Sequence, residues 1–179
     1  MEKEIITITE VKTPWYGLSI ILKRAFKKST PEYSKIEGLI SKFYHITDDR
    51  KGFGGIYLWK NRQSAEKLFN EDWFERVRAK LKCEGKVEYY ELVESKTISS
   101  NIDFAKRTNT MSILIKTDSA KATIDYSNSK GLLNRFNVLQ EQQEYMILLF
   151  EDSKHLYAFL ELNNPKVVKT YSTPVILVV

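Results

Sequence analysis

The sequence is short of the residues that staple small folds or hold metals. Its 179 residues include one cysteine, two histidines, four prolines and seven glycines. The lone Cys83 excludes an intrachain disulfide and suits a reducing compartment. Cys83, His45 and His155 are too far apart in sequence to set a metal-ligand spacing. No glycine-rich phosphate loop, nucleophile elbow or paired-carboxylate motif occurs either, and Gly52-Phe53-Gly54-Gly55 falls inside a hairpin rather than before a helix. No apolar run approaches the ~18 residues of a membrane span. The charged opening Met1-Glu2-Lys3-Glu4 does not read as a signal peptide, so a cytoplasmic protein that binds no membrane is expected.

Charge of one sign is also in short supply. The 28 basic and 23 acidic residues leave a net +5, and only Lys23, Arg24, Lys27 and Lys28 cluster. They are expected at the C-terminal end of a helix, where they complement its dipole and form a solvated face. A nucleic-acid partner is therefore not expected.

What the chain does have is an ordinary globular composition, 42% hydrophobic and 28% charged, and an internal repeat. Residues 38–70 read as strand, polar turn, strand and a helix opening at Asn61. Residues 131–161 repeat that order of side chains. Gly38, Leu39 and Phe43 match Gly131, Leu132 and Phe136 at an offset of 93 (131 less 38), and beyond the turn Trp59, Asn61 and Leu68 match Phe150, Asp152 and Phe159 at 91. The second turn is thus two residues shorter. Two copies of half-chain length point to duplication of one small α+β unit rather than to a solenoid.

Around the first copy, residues 4–11 alternate as a strand. Residues 15–28 space Leu18, Ile21, Leu22, Ala25 and Phe26 on one helical face, with Ser29-Thr30-Pro31 expected to end the helix. Residues 61–81 form a helix interrupted near Asp72 and stopped by Gly85, and residues 86–93 a strand. Strand, helix, strand, strand, helix, strand is the ferredoxin-like order. The polar stretch 96–110 connects this unit (1–95) to a second, shorter one (111–179), with a weak helix over 119–128 and a last strand over 171–179 that has Pro174 at its start. The fold class expected is α+β: a tandem ferredoxin-like duplication whose two antiparallel sheets pack face to face inside one chain, helices outward.

Gly54-Gly55-Ile56-Tyr57-Leu58-Trp59, followed by the helix opening Lys-Asn-Arg-Gln-Ser-Ala, resembles the YdhR-like proteins of the dimeric α+β barrel superfamily, which also holds the antibiotic biosynthesis monooxygenases. The resemblance covers residues 1 to 95 and extends weakly, through the repeat, to 111–179. It implies a cofactor-independent monooxygenase that oxidises an aromatic or quinol-like small molecule with O₂, using neither metal nor flavin. The site implied is an apolar pocket between sheet and helices. The haem-degrading branch, with its helix histidine, Asn and Trp, is not matched: the first unit's helices hold no histidine, and for His155 the preceding strand 111–117 has no comparable Asn.

The candidate catalytic residues are His45, a proton acceptor near neutrality, and Tyr57. The candidate substrate-binding residues are Trp15, Tyr16, Gly54, Gly55, Trp59 and Trp73, with no metal. Each has a plainer role: the tryptophans and Tyr57 as core aromatics, His45 as a surface or turn histidine, the glycine pair as a bulge. Tyr145 and Met146 stand where Gly54 and Gly55 do in the first copy, so one cavity per chain, in residues 1–95, is expected. The partner expected is an apolar or aromatic small molecule, and the chain a monomer or homodimer. A binding or sensing module without chemistry, and a structural protein with closed cavities, are the competing functions.

Overall fold

The structure is a computed structural model that describes residues 2–14, 17–98, 103–117 and 129–179. Trp15, Tyr16 and the helix expected over 119–128 lie outside the described residues.

Eight strands close one antiparallel barrel: β1 (Ile5–Lys12), β2 (Leu39–Thr47), β3 (Gly52–Trp59), β4 (Gly85–Thr97), β5 (Thr110–Lys116), β6 (Leu132–Gln140), β7 (Gln143–Phe150) and β8 (Val167–Val178). Round the barrel they run β1-β3-β2-β8-β5-β7-β6-β4. Each half thus keeps the ferredoxin-like order, β4-β1-β3-β2 and β8-β5-β7-β6. The halves do more than face each other: β2 pairs with β8 and β4 with β6, so the expected sandwich is closed at both edges. Closure satisfies the edge N–H and C=O groups that two separate sheets would leave unpaired.

Hydrogen-bond register carries the duplication. Phe43 faces Ile56 in the first hairpin and Phe136 faces Ile147 in the second, at offsets of 93 and 91. Both hairpins carry an irregularity at matching places, between Leu39 and Ser41 and between Leu132 and Asn134. Gly38 and Gly131 both have positive φ, at 80° and 74°, the left-handed region that a side chain strains. Across the barrel the equivalent rings of Phe43 and Phe136 meet at 5.9 Å. The interior is filled by Ile6, Ile8, Ile56, Leu114, Val138, Ile147 and their neighbours, as expected of eight strands.

Helix α1 (Ser19–Tyr33) runs past its expected end and contains Pro31. The Ser29 and Thr30 hydroxyls both donate to the Phe26 carbonyl, at 2.9 and 3.1 Å, and the Ser34 N–H closes the last turn on the Thr30 carbonyl at 2.9 Å. Lys23, Arg24, Lys27 and Lys28 therefore lie mid-helix, and the dipole rationale for them fails. The interrupted helix divides into α2 (Arg62–Leu68) and α3 (Glu71–Leu81), because Asn70 caps a new start by accepting from the Trp73 N–H at 3.1 Å. Asn61 caps α2 and Asp152 caps α4 (Ser153–Asn163) in the same way. The turn after α3 is made by Lys82 in the left-handed region. Gly85 instead opens β4, where a Cβ would come within 2.6 Å of the Trp73 ring.

Strand β8 begins four residues earlier than expected, so Pro174 is internal to it. It sits where the β2–β8 register shifts, between Tyr44↔Val175 and Ile46↔Ser172, a bulge that tolerates a residue with no N–H. Val175 and Leu177 face the layer under α1, while Ile176 faces the barrel interior. The apolar run is thus buried on both sides.

Candidate functional site

Alternation along β2 sends its side chains to two compartments. Phe43 and His45 point into the barrel, whereas Lys42, Tyr44 and Ile46 point toward the helices. On β3, Tyr57 and Trp59 take the helix side. The structure therefore does not bring the two candidate catalytic residues together: His45 and Tyr57 lie on opposite faces of one sheet.

His45 is fully buried. Its Nε2 lies 3.0 Å from the Thr9 carbonyl; a carbonyl only accepts, so Nε2 carries the hydrogen. Among the described residues Nδ1 is buried without a hydrogen-bond partner, and the ring packs 4.3 Å from that of Tyr171. Burial, ahead of the nearby Lys169 and Lys42 charges, pushes its pKa down to about 3. A proton acceptor near neutrality, or a surface histidine, is not what the fold makes of His45.

On the helix side, Tyr57 stacks on Trp59 with ring centroids 5.8 Å apart and 12° between planes. The Trp59 indole N–H donates to Thr7 Oγ1 at 2.9 Å. Trp73, on α3, joins this layer through Phe69, 5.3 Å away. Gly54 and Gly55 leave no open space here. A Cβ on Gly54 would lie 2.1 Å from the Thr9 carbonyl oxygen, and one on Gly55 would meet the Tyr57 ring at 2.9 Å and Lys42 Cε at 3.0 Å. The pair admits protein atoms rather than a ligand.

At the centre of this layer is a residue that the sequence reading passed over. Lys42 is 3% exposed, with Nζ 3.1 Å from the Tyr33 ring centroid, 3.8 Å from Tyr44 and 4.7 Å from Tyr57. Among the described residues Nζ has no hydrogen-bond or ion-pair partner. Burial holds its pKa well below the usual lysine range, against a smaller opposing effect of Glu32. Burial likewise raises the three tyrosines, Tyr44 to about 12. Tyr44 also bonds the Ser29 hydroxyl at 2.9 Å. The signal available in the sequence was one lysine inside the largely apolar and aromatic run of β2, on the parity of Tyr44.

Two cavities open elsewhere on the described surface. One, of about 370 Å³, lies by β4 and Arg62; the other, of about 380 Å³, lies at the barrel mouth by Glu10, Thr47 and Lys169. Neither includes a residue of the Lys42 cage. Glu151, Asp152 and His155 bring ligand atoms within 4.8 Å of one another, but this is the α4 cap: Asp152 accepts from the His155 N–H at 2.9 Å. Among the described residues no helix is long and apolar enough to cross a membrane.

The sequence profile of the family described as "Putative mono-oxygenase ydhR" matches residues 16–103. A crystal structure of a putative monooxygenase from Fusobacterium nucleatum superposes with TM-score 0.63 at 8% identity, covering 99% of this chain and 95% of that one. An anthrone oxidase-like protein superposes with TM-score 0.65 at 12% identity, covering 99% and 94%. A putative monooxygenase from Lactobacillus acidophilus gives 0.56 at 16%, covering 99% and 100%. No curated protein matches. At such identities the structures speak to the fold, and residues 16–103 of this chain are ydhR-like in a barrel that monooxygenase-like proteins share along its whole length.

Proposed function

We propose that the chain is a cofactor-independent monooxygenase whose aromatic or quinol-like substrate binds between the first half's sheet and helices α1 to α3. The observation that carries this reading is an unbroken run of ring contacts in the family-matched half. Tyr44, Tyr33, Tyr57, Trp59, Phe69 and Trp73 succeed one another at centroid distances of 5.2 to 6.0 Å. Tyr44, Tyr57, Trp59 and Phe69 are buried and packed on one another, so a flat substrate stacks on this wall only where a covering helix moves aside, with phenol hydroxyls to orient it. The substrate supplies all the electrons. An activated CH₂ becomes a carbonyl, or a quinol a hydroxyquinone, with one oxygen atom of O₂ in the product and the other released as water. Of the residues expected from the sequence, Tyr57, Trp59 and Trp73 belong to this wall, Gly55 shapes it, and His45 takes no part.

Oxygen uptake with a panel of anthrones, quinols and electron-rich phenols tests the reading. The expected result is one O₂ consumed per substrate, one labelled oxygen atom in the product, and no change on adding chelator or flavin. Uptake no faster than without protein across the panel overturns it.

A further inference from the structure

Helix α1 meets water differently from the other helices. Of its fifteen residues only Leu22 and Phe26 are buried. Ile20, Arg24 and Lys27 follow one another at helical spacing on the outward side, with Ile21 and Lys28 beside them, so the five share one exposed strip. Ile20 is 57% exposed, Ile21 47%, and Leu18, just before the helix, 64%. Three aliphatic side chains exposed within one turn mark a contact surface rather than scattered surface residues.

The same strip holds cations that nothing neutralises. Among the described residues Lys23, Arg24, Lys27 and Lys28 enter no ion pair, whereas Arg62 on α2 pairs with Glu66, and Arg78 on α3 with Glu71 and Glu84. Lys23 with Lys27, and Arg24 with Lys28, stand as like charges one turn apart, which destabilises a helix in water. Glu32, in the last turn, is the one acidic residue of α1. These four cations also carry most of the net charge: 28 less 4 leaves 24 basic residues against 23 acidic.

We propose that the outward face of α1 docks the protein on a membrane surface rich in anionic lipid, with Arg24, Lys27 and Lys28 among the headgroups and Leu18, Ile20 and Ile21 at the acyl boundary. A bilayer surface suits both kinds of side chain at once: anionic headgroups relieve the like-charge neighbours, and the hydrocarbon edge buries the aliphatics. A nucleic acid would leave Ile20 and Ile21 in water. A second copy would set the same cations against each other, and a globular partner needs a patch of ~20 residues or more, which one convex helix face does not supply. The docked helix lies in the surface and does not cross it, in keeping with the absence of a spanning helix among the described residues. This replaces the solvated face, and the lack of a membrane partner, expected from the sequence. On its inner side α1 covers the ring layer, Phe26 packing 5.0 Å from Tyr44. A substrate dissolved in the bilayer then reaches that layer from the docked side; this delivery step rests on the monooxygenase reading, and the docking does not.

The test is sedimentation of the full chain with vesicles of phosphatidylcholine, alone or mixed with phosphatidylglycerol. Binding is expected to the anionic vesicles only, and to fall as salt rises. Arg24→Gln and Lys27→Gln should each weaken it about fivefold, and Ile20→Ser about tenfold. Lys80→Gln combined with Lys154→Gln removes two charges from exposed sites on α3 and α4 and should change binding by less than about twofold, since charges beyond a Debye length are screened. All five positions are exposed, so the fold is not at risk in these variants. Equal binding to both kinds of vesicle, unchanged binding in Ile20→Ser, or an equal loss in the Lys80 and Lys154 control overturns the docking face. Tighter binding to a DNA duplex than to vesicles, at equal salt and phosphate, overturns it too. Oxygen uptake from a long-chain quinol should be several-fold faster in the anionic vesicles than in the neutral ones. Equal rates overturn the delivery step, and no uptake while vesicle binding persists overturns the monooxygenase reading alone.

Discussion

The two halves of the barrel share a backbone and differ in what they keep under their helices. Lys42, Tyr44, Tyr57 and Trp59 of the first half correspond, at the offsets fixed by the strand register, to Arg135, Asn137, Leu148 and Phe150 of the second. Lys42 Nζ faces aromatic rings, whereas Arg135 and Asn137 both bond Glu94 of β4. Inside the barrel part of the correspondence is conservative, Ile56 matching Ile147 and Phe43 matching Phe136, while His45 matches Val138 and Gly54 matches Tyr145. The face is kept where the rings of the two copies meet. The helix-side layer answers only to its own half and is free to specialise.

Exchanging features between the halves breaks or sharpens that contrast. The largest expected effect is at the glycine pair. Gly54→Ala drives a Cβ into the Thr9 carbonyl and should cost about 3 kcal/mol, whereas at Gly55 the obstacles are side-chain atoms and Ala should cost about 1 kcal/mol. Urea unfolding measures both. In the second half, where Met146 fills the equivalent position and is buried, Met146→Ala should cost about 2 to 4 kcal/mol by leaving a cavity.

Next comes pH. His45 is held neutral by burial, its pKa depressed to about 3 from an ordinary value near 6.5; its counterpart is Val138. Between those two pH values the unfolded chain binds a proton that the folded one does not. The stability this gives is therefore complete above about pH 6.5 and falls away as pH drops toward 3, by at most ~1.4 kcal/mol per pH unit. His45→Val should flatten that part of the stability curve. An unchanged slope would show His45 to be hydrated.

The smallest effect tests what the halves share. Phe43→Leu and Phe136→Leu should each cost about 1 kcal/mol, and nearly the same amount, because each removes one side of the same ring contact. A large inequality in chemical denaturation would mean that the barrel core is less symmetric than its register.

Much of the fold was legible because it rests on patterns of local origin. Alternation set the strands, Asn61 and Asp152 marked helix starts, and the repeated order from Gly38 and Gly131 exposed the duplication before any coordinates. Helix ends were less legible. Helix α1 runs past the point where Pro31 was expected to stop it, the proline lying in its last turn, and a register shift in β8 accommodates Pro174. Of the site, the parity of Tyr57 with Trp59, and of His45 with Phe43, could be read. Which parity faced the helices could not.

Sequence by itself determined the α+β unit, its doubling and the two faces of each strand, since these follow from side-chain period and capping chemistry along the chain. Only tertiary structure decided that the sheets close edge to edge and that His45 is sealed inside the barrel. It also decided that Lys42 lies among Tyr33, Tyr44 and Tyr57. Those outcomes depend on residues distant in sequence competing for the same buried volume, where a lost hydration shell and not a local preference sets the chemistry.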